Sequence, residues 1–280
     1  MNLRPPTGRR LINFMVSSFS VLAALLGILA LGWITLEVIF RGLAAINLDF
    51  FIKLPTPPGM AGGGLANAIV GTLAMTVLAT LIAVPLGLLC GVYLAEFGQD
   101  SRLADHSRFL ANVLMGMPSI IIGVFIYAVV VVPLKQFSGY AGALALAIIM
   151  LPVVARTTED MLRLVPNTLR ETALALGAPR WKVTLSVIFR AARAGLITGG
   201  LLGVARVSGE TAPLLFTALN SPYWFGSLGE PTANLTVTIF NYAMSPYSDW
   251  QQLAWGASLL ITLGVLALNL TARFAFKGKK

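Results

Sequence analysis

An all-α integral membrane protein with six transmembrane helices is the fold this sequence predicts, and three observations predict it. The 280 residues are 57% hydrophobic and only 11% charged, and the mean hydropathy is +0.82. A soluble domain carries about 25% charged residues. This chain therefore lacks the polar surface that water demands, and lipid must be its main solvent. Its apolar length divides into stretches matching the roughly 20 residues that cross about 30 Å of hydrocarbon. Its cations, finally, gather in alternate connections.

The six spans read as roughly 12–40, 65–95, 109–134, 139–155, 194–219 and 252–275, within one membrane domain covering residues 1–280. The start, "MNLRPPTGRRLINFMV", places arginines before an apolar run, as a signal peptide does. The run is too long for an h-region and lacks a clear cleavage site, so it reads as a retained first helix. The first two spans exceed 20 residues and tilt or extend past the bilayer. Residues 41–64 and 220–251 read as outer connections. The second carries Tyr223, Trp224, Tyr242, Tyr247 and Trp250, which suit either a membrane–water belt or an outside partner.

An even number of spans puts both termini on one side. Sixteen of the 20 basic residues fall at the termini and in the connections after spans 2 and 4. Those at the termini are Arg4, Arg9, Arg10, Arg273, Lys277, Lys279 and Lys280. Those after span 2 are Arg102 and Arg108. Those after span 4 are Arg156, Arg163, Arg170, Arg180, Lys182, Arg190 and Arg193. Only Arg41, Lys53 and Lys135 lie opposite. This asymmetry predicts cytoplasmic termini. The net charge of +9 is thus mostly topology, and no basic face on a soluble element suggests nucleic acid.

Enzymatic chemistry finds no foothold. The single cysteine, Cys90, excludes an intrachain disulfide and reads as a small buried apolar residue. His106, the single histidine, sits in a polar connection without a second ligand nearby and reads as solvated. The sequence holds no Ser-His-Asp spacing and no G-x-x-x-x-G-K-[ST] loop to cradle phosphates. Prolines 85, 118, 133, 152 and 213 fall in or beside spans. Each can bend a helix, and freed carbonyls in a membrane need new partners or a wet cavity. Bent helices suit a gated path, with irregular packing as the alternative.

The stretch "VPNTLRETALALGAPRWKVTLSVIFRAAR", residues 165–193, reads as a helix, a glycine turn and a second helix. Thr168 and Glu171 have capping-box spacing. Leu169, Ala173 and Leu176 recur at helical intervals. Gly177 can take the left-handed conformation that ends the helix, and Pro179 prevents its continuation. Such a basic cytoplasmic knob either rests on anionic lipid or docks a partner.

In "LLGVARVSGETAPLLF", residues 201–216, a helix would put Arg206 and Glu210 on one face. Eleven residues from Gly195 at ~1.5 Å each bring Arg206 about 16 Å deep. Two unpaired central charges would cost about 5–7 kcal/mol. Pairing lowers that cost, yet leucines would insert more easily, and desolvation opposes a buried pair. Stability is therefore a poor reason for the charges. A helix-locking ion pair is one reading; a residue on an anion pathway is the other. Arginine offers an oxyanion two parallel donors and a permanent charge. Glu210 would keep the attraction from becoming a trap, since conduction requires release. Ser208 and Thr211 add hydroxyls, and Gly209 leaves room.

"ETALALG" resembles the "EAA…G" loop of permease subunits of bacterial ABC importers. Glu171, Thr172 and Ala173 fall on E-A-A, and Gly177 on the family glycine. Val187, Phe189 and Arg190 stand where that pattern has an aliphatic residue, leucine and proline. "GMPSIIIG" (116–123), "LPVVARTTEDMLRLVPNTLRETALALGAPRW" (151–181), "GETAPLLFTA" (209–218) and "TIFNYAMSP" (238–246) together resemble PstA-type permeases of the bacterial phosphate-specific ABC importer. The resemblance implies a type I ABC importer permease fold in the bacterial inner membrane. The 166–190 loop would couple to a separate ATPase subunit that binds ATP and Mg, while this chain holds neither cofactor nor metal. Further implied partners are a second, homologous permease subunit, a second ATPase subunit and an external phosphate-binding protein. Physics leaves rivals open: an ABC permease for sulfate, molybdate or a phosphonate, a secondary anion transporter, or a scaffold.

Overall fold

Backbone groups in hydrocarbon have no water to bond, so a chain this apolar must satisfy them within helices or a closed barrel. The computed structural model describes residues 7–98 and 101–275, and every regular element among them is helical. Arg4, Lys277, Lys279 and Lys280 of the charge count lie outside the described residues. The first half comprises α1 (Thr7–Ala45), α2 (Leu48–Ile52), α3 (Ala66–Val92), α4 (Arg102–Gly116), α5 (Ser119–Ile126) and α6 (Val132–Leu134). The second comprises α7 (Gly139–Arg163), α8 (Asn167–Ala175), α9 (Arg180–Val183), α10 (Phe189–Val207), α11 (Ala212–Leu215), α12 (Leu235–Ala243) and α13 (Ser248–Ala275). Wider π-helical turns extend α3 (Tyr93–Phe97) and join α5 to α6 (Tyr127–Val131) and α9 to α10 (Thr184–Ile188).

Five helices among the described residues are long and apolar enough to cross a membrane, or six if one bent pair is counted as a span. That pair departs from the continuous 109–134 span of the sequence reading. Helix α4 meets the α5–α6 stretch at 103°, because Pro118 holds extended backbone at the junction and drives the preceding residue from the helical region. The fourth of the five long helices also differs from the expected fifth span, 194–219. It runs Arg180–Val207, beginning earlier and stopping twelve residues sooner.

Helices α3 and α7 form the centre. Their facing residues are small or flexible: Ala79, Ala83 and Met75 against Ala143, Ala147 and Met150, all buried in one cluster. Small side chains let helices approach closely where lipid supplies no hydrophobic drive between them. Pro85 and Pro152 lie inside these two helices, and the tight packing supports the backbone across each. Helix α1 is exposed along its apolar length and meets α13 only near its end, where Arg41 lies 5.2 Å over the Trp255 ring and Gln252 donates to the Ala44 carbonyl. The outer aromatics divide. Tyr223 and Trp224 are exposed, whereas Tyr242 is buried and stacks on Trp250 at 4.3 Å. Cys90 is half-buried, and His106 is exposed.

Candidate functional site: a broken helix and an exposed helical turn

The sequence "VSGETAP" ends α10. Ser208 still bonds its N–H to the Val204 carbonyl, but Gly209 and Glu210 bond three residues back, to Arg206 and Val207. The chain has left the α-helix. This corrects the shared helix face expected for Arg206 and Glu210: the turn carries Glu210 off the helix, and no ion pair joins the two among the described residues.

Arg206 is exposed in the last turn of α10. Ser208 Oγ instead donates back to the Val204 carbonyl at 2.7 Å. Val204 and Ser208 line a mainly apolar groove of about 560 Å3 with Thr72, Thr76 and Thr80 of α3. Residues four apart share a helix face and residues two apart oppose it, so Arg206 projects away from this groove. Of the four expected pathway residues, Ser208 faces the groove, Arg206 faces outward, and Glu210 and Thr211 are half-buried in the turn.

Irregular backbone continues to residue 234, apart from α11, and the bundle secures it. Pro213 packs on Gly123 of α5 so closely that a Cβ at Gly123 would lie 2.6 Å from the Pro213 Cα. Thr236 Oγ1 donates to the Glu210 carbonyl at 2.9 Å, and Thr72 Oγ1 accepts the Leu235 N–H at 2.9 Å. Buried Asn67 donates to the Ser221 and Tyr223 carbonyls. Gly139 and Tyr140, opening α7, donate to the carbonyls of Glu230 and Leu228. Asn234 Oδ1 caps α12 by accepting the Val237 N–H. Irregular backbone that enters hydrocarbon persists only where protein buries it or water lines it; these bonds satisfy the segment within the protein.

At the other end of α3 lies the expected helix–turn–helix. Helix α8 starts after Pro166, with no side-chain cap. Thr168 therefore lies inside the helix, where the capping box would have placed it at the boundary. The rigid φ of Pro166 starts the helix without that hydroxyl. Leu169 and Leu176 are exposed, Leu176 at 83%, while Ala173 packs against the base of α9 and α10. Glu171 and Thr172 are exposed beside them. Gly177 follows at φ +79, as the turn requires. A helical turn with exposed Leu169, Leu174 and Leu176 is thus left uncovered at this end of the bundle.

Two charged clusters escaped the sequence reading. Glu159 of α7 is fully buried and accepts from Arg108 Nε at 2.8 Å, Arg156 Nη1 at 3.2 Å and Arg163 Nη2 at 2.7 Å. Arg108 also pairs with Asp105 and donates to the Leu94 carbonyl. Arg170 of α8 meets Glu96, in the π-helical turn after α3, at 2.8 Å. The sequence counted these arginines only as orientation signals. The available clue was scarcity: with 11 acidic residues in the chain, a carboxylate at the end of an apolar run must have a partner.

The geometry is shared with known proteins. A structure of the MetNI methionine ABC transporter in an inward-facing conformation superposes with a TM-score of 0.64 at 20% identity, covering 76% of this chain and 94% of that one. An amino acid ABC transporter gives 0.52 at 18% identity, covering 76% and 90%. The fold is that of an ABC importer's multi-pass membrane subunit. Residues 83–277 match the family described as "Binding-protein-dependent transport system inner membrane component". The "Phosphate transport system permease protein PstA" of Yersinia pestis is 47% identical over 272 residues, spanning 97% of this chain and 92% of that protein. The Pasteurella multocida protein of the same name is 49% identical over 271 residues, spanning 97% and 96%. The "Probable phosphate transport system permease protein PstA" of Methanocaldococcus jannaschii is 39% identical over 273 residues, spanning 96% and 93%. The chain belongs to this family of inner membrane transport components, in its PstA branch.

Proposed function

We propose that this chain is the permease subunit of an ATP-driven importer of inorganic phosphate, with Arg206 on the anion's path. The observation that carries the reading is the break after Val207. It leaves a permanent cation at the end of an apolar helix, beside backbone that must be buried or wet. Between Arg193 and Arg206 lie twelve uncharged residues, about 20 Å of helix rise from one arginine to the other. That is less than the ~30 Å of hydrocarbon, so a cation here belongs to a passage rather than to the far headgroups. Inorganic phosphate is an oxyanion, and the guanidinium fork fits it. Glu210 and Thr211 of the following turn complete the candidate site, Glu210 by limiting how tightly the anion is held, while Ser208, expected there from the sequence, faces the groove on the opposite side of α10.

A path on one exposed helix face requires a second wall, supplied by a homologous permease subunit. The knob of Glu171, Thr172, Ala173 and Gly177 docks one of two ATPase subunits, which bind ATP and Mg; this chain carries no ATPase site. An external phosphate-binding protein delivers the anion to the opposite end. Both termini are cytoplasmic by the distribution of cations, and the domain spans the chain, with 166–190 as its coupling loop.

The test is purification with co-expressed permease, ATPase and binding-protein subunits, followed by phosphate uptake into proteoliposomes with and without ATP. ATP-dependent uptake that sulfate and molybdate do not inhibit supports the reading. Uptake driven by an ion gradient alone overturns it in favour of a secondary transporter. At the knob, a Cβ added at Gly177 would meet nothing within 4 Å. The positive φ is nevertheless a strained outlier for a β-branched residue. The Gly177→Val variant is expected to assemble and to lose most ATP-driven uptake; uptake at the wild-type rate would remove Gly177 from the coupling turn.

A further inference from the structure

Helix α8 has no fully buried residue, so its hold on the bundle depends on few contacts. Ala173 supplies a packing contact, and Arg170 supplies the polar ones. The Arg170 guanidinium donates to both Glu96 oxygens, with the shortest bond at 2.8 Å. It also donates to the Leu162 carbonyl at 2.6 Å, the Val165 carbonyl and Asn167 Oδ1. One side chain thus grips the end of α3 and the end of α7 together. Arg170 is 16% exposed and Glu96 9%, so the pair is shielded from the screening that weakens surface ion pairs.

The far end of α3 holds the broken segment. Thr72 accepts the Leu235 N–H, and the next residue, Thr236, donates to the Glu210 carbonyl. Thr72 and Glu96 are 24 residues apart, about 36 Å of helix. The wide turn at Tyr93–Phe97 sets where Glu96 sits, as such turns do at functional positions. We propose that α3, packed on α7, is the rod that carries motion of α8 to the Glu210 segment, with Glu96–Arg170 as one coupling and Thr72–Leu235 as the other. The inference rests on the transport reading above and adds a route to it. Arg170, Glu96 and Thr72 are positioning residues: they touch neither nucleotide nor anion.

The experiment measures phosphate moved and ATP hydrolysed together, in proteoliposomes holding the co-expressed complex with its binding protein. Glu96→Ala leaves Arg170 its carbonyl partners, so α8 stays folded. This variant should keep assembly and basal ATP hydrolysis while phosphate moved per ATP falls roughly tenfold, within the range for mutations along a coupling network. Glu96→Asp should recover part of the loss. Thr72→Val should lower the same ratio, and Thr72→Val combined with Glu96→Ala should be no worse than the more severe single variant, because one route is cut twice. Wild-type ratios in both single variants of an active transporter overturn this inference alone. Loss of assembly in Glu96→Ala, with ATP hydrolysis and uptake falling in parallel, also overturns it, by reducing the pair to a scaffold. Absence of ATP-driven uptake in the wild type overturns both the inference and the reading beneath it.

Discussion

Replacing Arg206 with alanine is expected to reduce phosphate uptake to background while the purified complex assembles and melts as the wild type does. A hydrogen bond to a charged group contributes about 1.5–3 kcal/mol, and a bidentate fork offers two. Losing both, about 3–6 kcal/mol, slows passage of the anion by more than about a hundredfold. A purely structural role predicts something different. Arg206 lies in the last turn of α10, where any cation gains about 0.3–1 kcal/mol from the helix dipole. Lysine would serve the dipole as well as arginine does, but it is a point charge without the fork. Arg206→Lys should therefore show near-normal stability and only partial uptake. Full uptake with lysine, or wild-type uptake with alanine, would remove the guanidinium from the anion's path. Thermal stability and radiolabelled phosphate uptake on the same preparations separate the two roles.

Helices were legible in the sequence because lipid leaves an apolar chain few alternatives, and hydropathy alone located most of them. Their ends were harder to read. The run "LLGVARVSGETAPLLF" is mostly apolar, so composition carried it on to residue 219. What ended it was local backbone chemistry: a serine turned back on its own helix, a glycine, and a proline seated on Gly123. The same limit affected "GMPSIIIG", where one proline bends the chain by 103°. Gly177 was legible because a turn has a short-range signature. Glu96–Arg170 and Arg108–Glu159 were not, since their partners lie 74 and 51 residues apart. Periodicity reports which face is apolar; it does not report which carboxylate a distant arginine reaches.

Glu159 is the position where substitution is expected to cost the fold most. Its side chain is fully buried, and three guanidiniums converge on it. Arg108, 16% exposed, ties α4 to α7 through this carboxylate, and α4 is otherwise held beyond a sharp bend. Replacing the buried acid with alanine leaves three guanidiniums facing one another and reduces Arg108 to Asp105 and the Leu94 carbonyl. Breaking a buried pair from one side costs about 3–5 kcal/mol. That exceeds the cost of deleting any one arginine, because the carboxylate then keeps two partners. Arg163→Ala, half-exposed at 49%, should shift stability by no more than about 1 kcal/mol. Glu159→Gln preserves the volume and one acceptor oxygen but not the charge, so it should fall between the two. Size-exclusion profiles and thermal unfolding of the detergent-solubilised complex read the order directly. If Glu159→Ala proved as stable as Arg163→Ala, the cluster would be a solvated surface network, and the grip of α7 on α4 would have to come from packing alone.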